Sequence, residues 1–529
     1  MQNPDIGAYV QRGRQAMAER RFDDARAIYQ QILALDPAQP RAWLALSALA
    51  QAQGDFRESV RAARAAVPAW KRSGSHQFIT ELSMRLLVLG EYQQARDIIT
   101  SADWGDPVVL RYSMGLVQYL GLAEAHEEAL ELADHALSRI GRPPAALVYA
   151  RATALRYLGR IQEATEAYER CLALDPLHAE AHWALAHHEH AHANGSRISR
   201  LRKALLHTDT ESEEAVYLHY ALFKELDDAG EVKEAWQALR MGAQRKRRKI
   251  IYEDSSQDGR FQALKEACGE GFFTDVNDGE RSAGHTPIFI VGLPRSGTTL
   301  LDRLLGNHPT VRSAGELNDF PLQMSWEANR FLSEPLSGSA ISACLETDFA
   351  QLGGGYLERT AWRVAGADFL IDKLPNNVFH AGFIRRALPH AKVIIMRRNP
   401  MDSCFSMFKH LFSGGAYPFS YDLREMAAHF IRFGNLVQHW EQVLGEGVLV
   451  VDYERLVNQP KEVVSRIANF CQIPYTPEML DIGKNMSPSA TASSSQVREG
   501  MHKRNVDSWK RYEWALADVL APLGGMAGL

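Results

Sequence analysis

The chain has 529 residues, 46% hydrophobic and 23% charged, a globular balance too long for one core, so a disordered scaffold is excluded and two folded domains are expected. A formal charge of −5 excludes an overall basic surface for nucleic acid, and any anion site must be local. Five scattered cysteines, Cys171, Cys268, Cys344, Cys404 and Cys471, form no CxxC pair; a reducing cytoplasm fits them better than a disulfide framework or a thiolate metal site. No apolar signal core opens the chain and no run of about 18 apolar residues interrupts it, so neither a cleaved signal nor a membrane span is expected.

The first element is a repeated helical hairpin. Segments 6–37 and 145–176 share small residues at Gly13 and Ala152 and at Ala25 and Ala164, aromatics at Tyr29 and Tyr168, and a closing LALDP at Pro37 and Pro176. They stand 139 residues apart, about four periods of roughly 34 residues. Weaker units fall in phase at Trp43, Leu46 and Gly54, at Leu86, Gly90, Tyr92 and Ala95, and at Tyr217, Leu226, Gly230, Ala235 and Leu239. One unit alone cannot bury its apolar face, so six or seven stacked units from about residue 6 to 249 are expected to form an α-solenoid with a concave surface. This stretch resembles tetratricopeptide (TPR) repeat proteins, which implies that a protein or peptide binds in the groove; a spacer or dimerisation arm is the plainer alternative.

Three features close the first half. His188, Glu189 and His192 spell H-E-x-x-H, a zinc-protease pattern, yet they sit where a repeat helix belongs and no third ligand follows; a solvated histidine-rich face is expected. The basic run Arg245-Lys246-Arg247-Arg248-Lys249 reads as a solvated helix end, since few aromatics accompany it as a nucleic-acid patch would require. Residues 251–284, with Asp, Gly and Ser clusters around a short helical stretch, read as a linker.

At residue 287 the pattern changes. PIFIVGLPRSGTTLLDRLLGNHP predicts a buried strand, a Gly/Pro turn and an amphipathic helix. Gly292 and Gly297 are spaced as in a phosphate-binding loop, whose amide N–H groups and helix N-terminus attract anions. The lysine that would reach a nucleoside triphosphate is missing; Thr298 and Thr299 follow Gly297, and the positive charge comes from Arg295. Residues 391–408 predict a second strand with Arg398 at its carboxyl end and a helix carrying Ser406, so both loops should open on one crevice. Arg397 reads as a solvent-facing neighbour. Residues 448–475 predict a third strand ending at Tyr453 and a helix from near Pro460, with core filling and base contact both open to the tyrosine.

The order and spacing of these segments resemble the sulfotransferase superfamily over about residues 285–515, nearest the tyrosylprotein sulfotransferase-like branch and bacterial TPR-linked sulfotransferases. The resemblance implies a P-loop-type three-layer α/β domain with a parallel sheet and the sulfuryl donor 3′-phosphoadenosine 5′-phosphosulfate (PAPS), without a metal. It assigns Arg295, Ser296, Gly297, Thr298 and Thr299 to the 5′-phosphosulfate loop, Arg398 and Ser406 to the 3′-phosphate, and Tyr453 to the adenine. Glu316 in HPTVRSAGE matches the catalytic base and Lys373 in IDKLPNN the catalytic lysine. TASSSQVR matches a closing segment in which Ser493 and Arg498 contact the donor; Trp509 keeps the family spacing to Gln496, and the acidic Glu499 departs from relatives that carry a basic residue.

The expected organisation is therefore a TPR α-solenoid over 1–250, a linker over 251–284 and a sulfotransferase domain over 285–529. Glu316 would take a proton from an acceptor hydroxyl while Lys373, Arg295 and Ser493 stabilise the bridging oxygen. A protein or peptide tyrosine presented by the TPR groove is the expected acceptor, with a saccharide or small-metabolite hydroxyl as alternative. A P-loop kinase and a TPR scaffold with an inactive enzyme domain are the readings from other classes.

Overall fold

The computed structural model describes residues 6–188, 195–274, 284–332, 336–484 and 506–524. Contacts divide it into two compact units, one of Met1–Ala167 with Pro321–Ser333, the other of Tyr168–Phe320 with Glu334–Leu529.

Fourteen helices between Ile6 and Lys249 pair into seven hairpins among the described residues. Their repeat is visible in the backbone. The turns of six of these hairpins each hold one left-handed residue, at Arg20, Gly54, Gly90, Glu124, Gly159 and Gly230; the first five follow one another at intervals of 34 to 36 residues. Small residues sit where helices cross closely: a Cβ on Gly13 would fall 2.7 Å from the Tyr29 ring. Tyr29, Ala25, Ala152, Ala164 and Tyr168 are buried as the periodicity requires.

In the first unit the helix pair Pro40–Ala52 and Phe56–Ser73 receives the segment Pro321–Ser333. Arg57 donates from Nε to the Trp326 carbonyl and from Nη2 to the Glu327 carbonyl, both at 2.7 Å. Its backbone N–H donates to Asn329 Oδ1, and Phe56 meets Phe331 edge-on at 5.0 Å. An arginine thus donates to two carbonyls of the last turn of the helix Asp319–Glu327, of which that of Trp326 also accepts from the N–H of Asn329 at 3.2 Å.

The second unit is built on a five-stranded parallel sheet of order β2-β3-β1-β4-β5. Its strands are β1 Thr286–Gly292, β2 Val311–Ser313, β3 Phe369–Asp372, β4 Lys392–Arg397 and β5 Val448–Asp452. β1 lies in the middle and is buried along its whole length, as an uninterrupted apolar run predicts. Ile288 and Ile290 join the core with Leu301, Leu304 and Ile467 from the helices Thr298–Leu305 and Pro460–Cys471. Phe289, between them in sequence, packs on Phe320 and Tyr356. This alternation makes a three-layer α/β domain.

Later repeat helices belong to this unit too. Tyr220 donates to the Phe408 carbonyl at 3.2 Å, and Trp236 packs on Phe408 and Tyr512. Arg247, in the basic run, forms a two-pronged pair with Glu425 at 2.7 Å, where a solvated end was expected. Residues read as linker carry the helix Gln257–Ala267, whose Phe261 and Leu264 are buried. Arg432 holds Asp254 and Asp258 beside it. Apolar residues at helical spacing outweigh the Asp, Gly and Ser content there.

Candidate functional site

The order of the sheet decides which strand ends meet. β3, β1 and β4 are neighbours and parallel, so their carboxyl ends open on one edge. Lys373 follows β3, the Gly-rich loop follows β1, and Arg398 follows β4.

The loop after β1 is held from two sides. Gly292 and Gly297 take φ of +150° and +101°, and Arg295 between them is left-handed at +67°. A Cβ at Gly292 would lie 2.6 Å from the Met396 carbonyl of β4, and one at Gly297 would lie 2.5 Å from the Tyr453 ring. Only glycine fits either place. The turn delivers Thr298 and Thr299, both buried, to the start of the helix Thr298–Leu305. There free N–H groups and the helix dipole favour an anion.

Arg295, Arg398, Ser406 and Tyr453 come together beside this loop. Arg398 donates to the Arg295 carbonyl at 3.0 Å, and Arg295 Nε reaches Ser406 Oγ at 3.4 Å. The Arg398 guanidinium lies over the Tyr453 ring, 4.7 Å from its centroid. Burial, and then the neighbouring Arg398 charge, pushes Arg295 down to about 10. Lys409, just past the helix Pro400–Phe408, is pushed down to about 8 by burial; Arg295 and Arg398 push the same way and Asp227 opposes them. Arg398, buried, and Arg295, half-buried, with Lys409 near enough to feel both charges, are electrostatically fitted to a multiply charged anion.

Lys373 and Glu316 form the second half of the site. Lys373 is wholly buried, and its Nζ donates to Glu316 Oε1 at 2.5 Å; the Glu316 side chain is 43% exposed. A buried ammonium thus points to a carboxylate that faces outward. Asp302, on the helix that starts at the Gly-rich loop, is buried beside this pair. Burial raises its carboxyl above the usual range, while Lys373 and a hydrogen bond from Ser313 act to lower it.

Other expected residues fall elsewhere. Arg397 pairs with Asp452 across β4 and β5 at 2.7 Å rather than facing solvent alone. Ser493 and Arg498, with Gln496 and Glu499, lie outside the described residues, as does the H-E-x-x-H run from Glu189 on. Trp509 lies in the 3₁₀ turn Ser508–Tyr512. Asp402, on the helix that bears Ser406, accepts there from the N–H of Asp507 at 2.7 Å and the hydroxyl of Ser508 at 3.1 Å. Among the described residues no group of three or more His, Cys, Asp or Glu is placed to hold a metal, and no helix is long and apolar enough to cross a membrane.

Sequence reasoning missed Lys409 and Asp302. Asp302 stands four residues past Thr298, one turn along the helix, and that spacing was its available signal. Lys409 carried none, because two of the charges that act on it, Asp227 and Arg295, are far away in sequence.

The donor that the resemblance implies can be tested against these groups. Ser296 Oγ is buried and has no hydrogen-bond partner among the described residues, next to two glycine cradles and a helix N-terminus. Donors of this kind suit one phosphate, Arg398 and Ser406 offer donors suited to a second, and with Tyr453 against Arg398 the set is chemically compatible with an adenosine 3′,5′-bisphosphate.

Residues 287–477 match the family model described as "Sulfotransferase family", and residues 16–69 and 145–178 match tetratricopeptide repeats. The chain therefore carries a sulfotransferase domain joined to TPR repeats. It is 26% identical to an uncharacterized protein of Aquifex aeolicus (strain VF5) over 98% of this chain and 69% of that one. It is 29% identical to protein-tyrosine sulfotransferase A of Caenorhabditis elegans, over 45% of this chain and 64% of the relative. The solved sulfotransferase domain from the curacin biosynthetic pathway aligns with 46% of this chain and 97% of its own, with 20% identity and a TM-score of 0.33.

Proposed function

We propose that the chain transfers the sulfuryl group of PAPS to an acceptor hydroxyl, and that a protein or peptide tyrosine is that acceptor. The observation that carries the reading is the convergence of Arg295, Arg398 and Ser406 at the ends of β1 and β4, next to the Lys373–Glu316 pair after β3. When bound, PAPS supplies an activated sulfuryl group. Ser296, Thr298, Thr299 and the amides of the turn through Gly297 hold its 5′ end, Arg398 and Ser406 hold its 3′-phosphate, and Tyr453 lies against its base.

Glu316 takes the proton of the acceptor hydroxyl, and that oxygen bonds to sulfur as the bond from sulfur to the bridging phosphate oxygen breaks. Lys373 and Arg295 stabilise the charge left on the departing phosphate oxygen, with Ser493 assigned to the same atom by resemblance. The exposure of Glu316 supports its role at the acceptor side, since a base must reach a second molecule.

The relative named protein-tyrosine sulfotransferase A supports tyrosine as the acceptor, and the TPR repeats support a protein or peptide partner in their groove. Labelled PAPS offered with tyrosine-containing peptides and with oligosaccharides tests the reading. Label on peptide tyrosine is the expected result. Label on sugar hydroxyls would replace the acceptor, and release of no PAP with any acceptor would overturn the activity.

A further inference from the structure

We propose that Asp402 is a positioning residue for the donor site, holding Arg398 and Ser406 in the places from which they grip a 3′-phosphate. The inference rests on the donor reading for its ligand, and on hydrogen bonds within the second unit for the contact it describes.

Asp402 lies in the first turn of the helix Pro400–Phe408 and is wholly buried. It stands four residues after Arg398 and four before Ser406, so the two groups assigned to the 3′-phosphate flank it in the chain. Ser406 is one helical turn further along the same face. Three donors converge on the Asp402 carboxyl. The N–H of Asp507 reaches Oδ2 at 2.7 Å, while the Ser508 hydroxyl and the N–H of Trp509 reach Oδ1 at 3.1 and 3.4 Å. All three come from one short stretch at the start of the 3₁₀ turn Ser508–Tyr512.

That stretch is shaped to present them. Asp507 is left-handed at φ of +61°, a conformation unfavourable to a residue with a Cβ, and its N–H makes the shortest of the three bonds. At the other end of the turn Tyr512 packs on Phe405, with ring centroids 4.9 Å apart, and donates to Asp227 Oδ1 at 2.7 Å. The turn therefore grips the helix at Asp402 and again at Phe405, the residue before Ser406. On the opposite flank the N–H of Asn399 donates to Glu454 Oε1 at 3.0 Å, and Asn399 Oδ1 accepts from the N–H groups of Met401 and Asp402. Arg398 and Ser406 thus stand at the two ends of a stretch pinned from both sides.

Electrostatics alone argue against a carboxyl at this position. An acidic group one turn from Ser406 repels the phosphate that this hydroxyl and Arg398 attract, so its charge by itself lowers affinity for an anion. Hydrogen bonds that keep the phosphate donors in place act the other way. The two effects give opposite signs when the carboxyl is removed.

Calorimetric titration of PAP and of 5′-AMP against the full-length protein reads that sign, and backbone hydrogen exchange over residues 507–512 reads the contact. Asp402→Ala should weaken PAP binding by about tenfold or more, leave 5′-AMP binding within about twofold of wild type, and quicken the exchange by about tenfold or more. Ser508→Ala removes one donor and keeps the carboxyl. It should shift PAP affinity and exchange the same way to a smaller extent, and it serves if Asp402→Ala does not accumulate as folded protein.

Unchanged or tighter PAP binding in Asp402→Ala would overturn the assignment, since the carboxyl would then act by its charge or not at all. Parallel losses for PAP and 5′-AMP would also overturn it, because a general loosening of the fold would be at fault. Where only Ser508→Ala accumulates, PAP affinity and exchange equal to wild type have the same force. A wild type without preference for PAP over 5′-AMP removes the donor reading and the role of Asp402 with it, whereas a preference that survives in both variants removes the role alone.

Discussion

Glu316 and Lys373 were legible as residues because each follows a short strand within a distinctive local string, HPTVRSAGE and IDKLPNN. Their contact was not, since 57 positions separate them and only the β2–β3 pairing brings them together. Replacing Glu316 with Gln should lower turnover by about 10²- to 10⁴-fold and leave PAP binding unchanged; activity near wild type would remove Glu316 from the role. Arg398→Ala should weaken PAP binding by roughly ten- to a hundredfold, the range for losing hydrogen bonds to a charged group, when measured by calorimetry. Lys409 gives a pH dependence whose sign is fixed. Held down to about 8, it is charged below that pH and attracts the anion; above it the charge is lost. PAP affinity should therefore fall as pH rises through about 8, with proton uptake on binding, and Lys409→Met should flatten the curve.

At the scale of elements, periodicity carried the reading where the apolar pattern was regular. β1 and the loop Gly292–Gly297 were visible because a buried parallel strand and a phosphate turn use few residue types in strict order. The hairpin turns show the limit of that visibility. Gly54, Gly90 and Gly159 mark the left-handed turn position, but Arg20 and Glu124 occupy it elsewhere and hide the repeat from a search for glycine. A left-handed non-glycine residue costs about 1 to 2 kcal/mol, partly offset by the entropy glycine adds to the unfolded chain. Glu124→Gly should accordingly raise the denaturation midpoint of the repeats, and a lowered midpoint would show that its side chain holds the turn. The helix Gln257–Ala267 went unread as packed structure because Asp254, Ser255, Ser256 and Asp258 look like loop; the partner of the two aspartates, Arg432, lies 174 positions beyond Asp258.

At the scale of the whole molecule, the residues that close the core of the second unit come from both halves of the chain. Phe408 ends the helix bearing Ser406, and it packs against Trp236 and accepts from Tyr220 of the repeats. No local pattern announces such contacts. A chain starting at residue 285 should therefore expose apolar surface, bind a hydrophobic dye and lose its PAP-induced thermal shift, whereas a compact, PAP-responsive fragment would mean that the repeats contribute nothing to that core. The central claim is that the ends of β1 and β4 grip both phosphates of one adenosine bisphosphate, and the direct test is titration calorimetry of PAP, 5′-AMP and ATP–Mg²⁺ against the full-length protein. The account predicts that PAP binds at least tenfold more tightly than 5′-AMP, and that this difference is lost in Arg398→Ala. Tight binding of ATP–Mg²⁺ with no preference for PAP over 5′-AMP would contradict it.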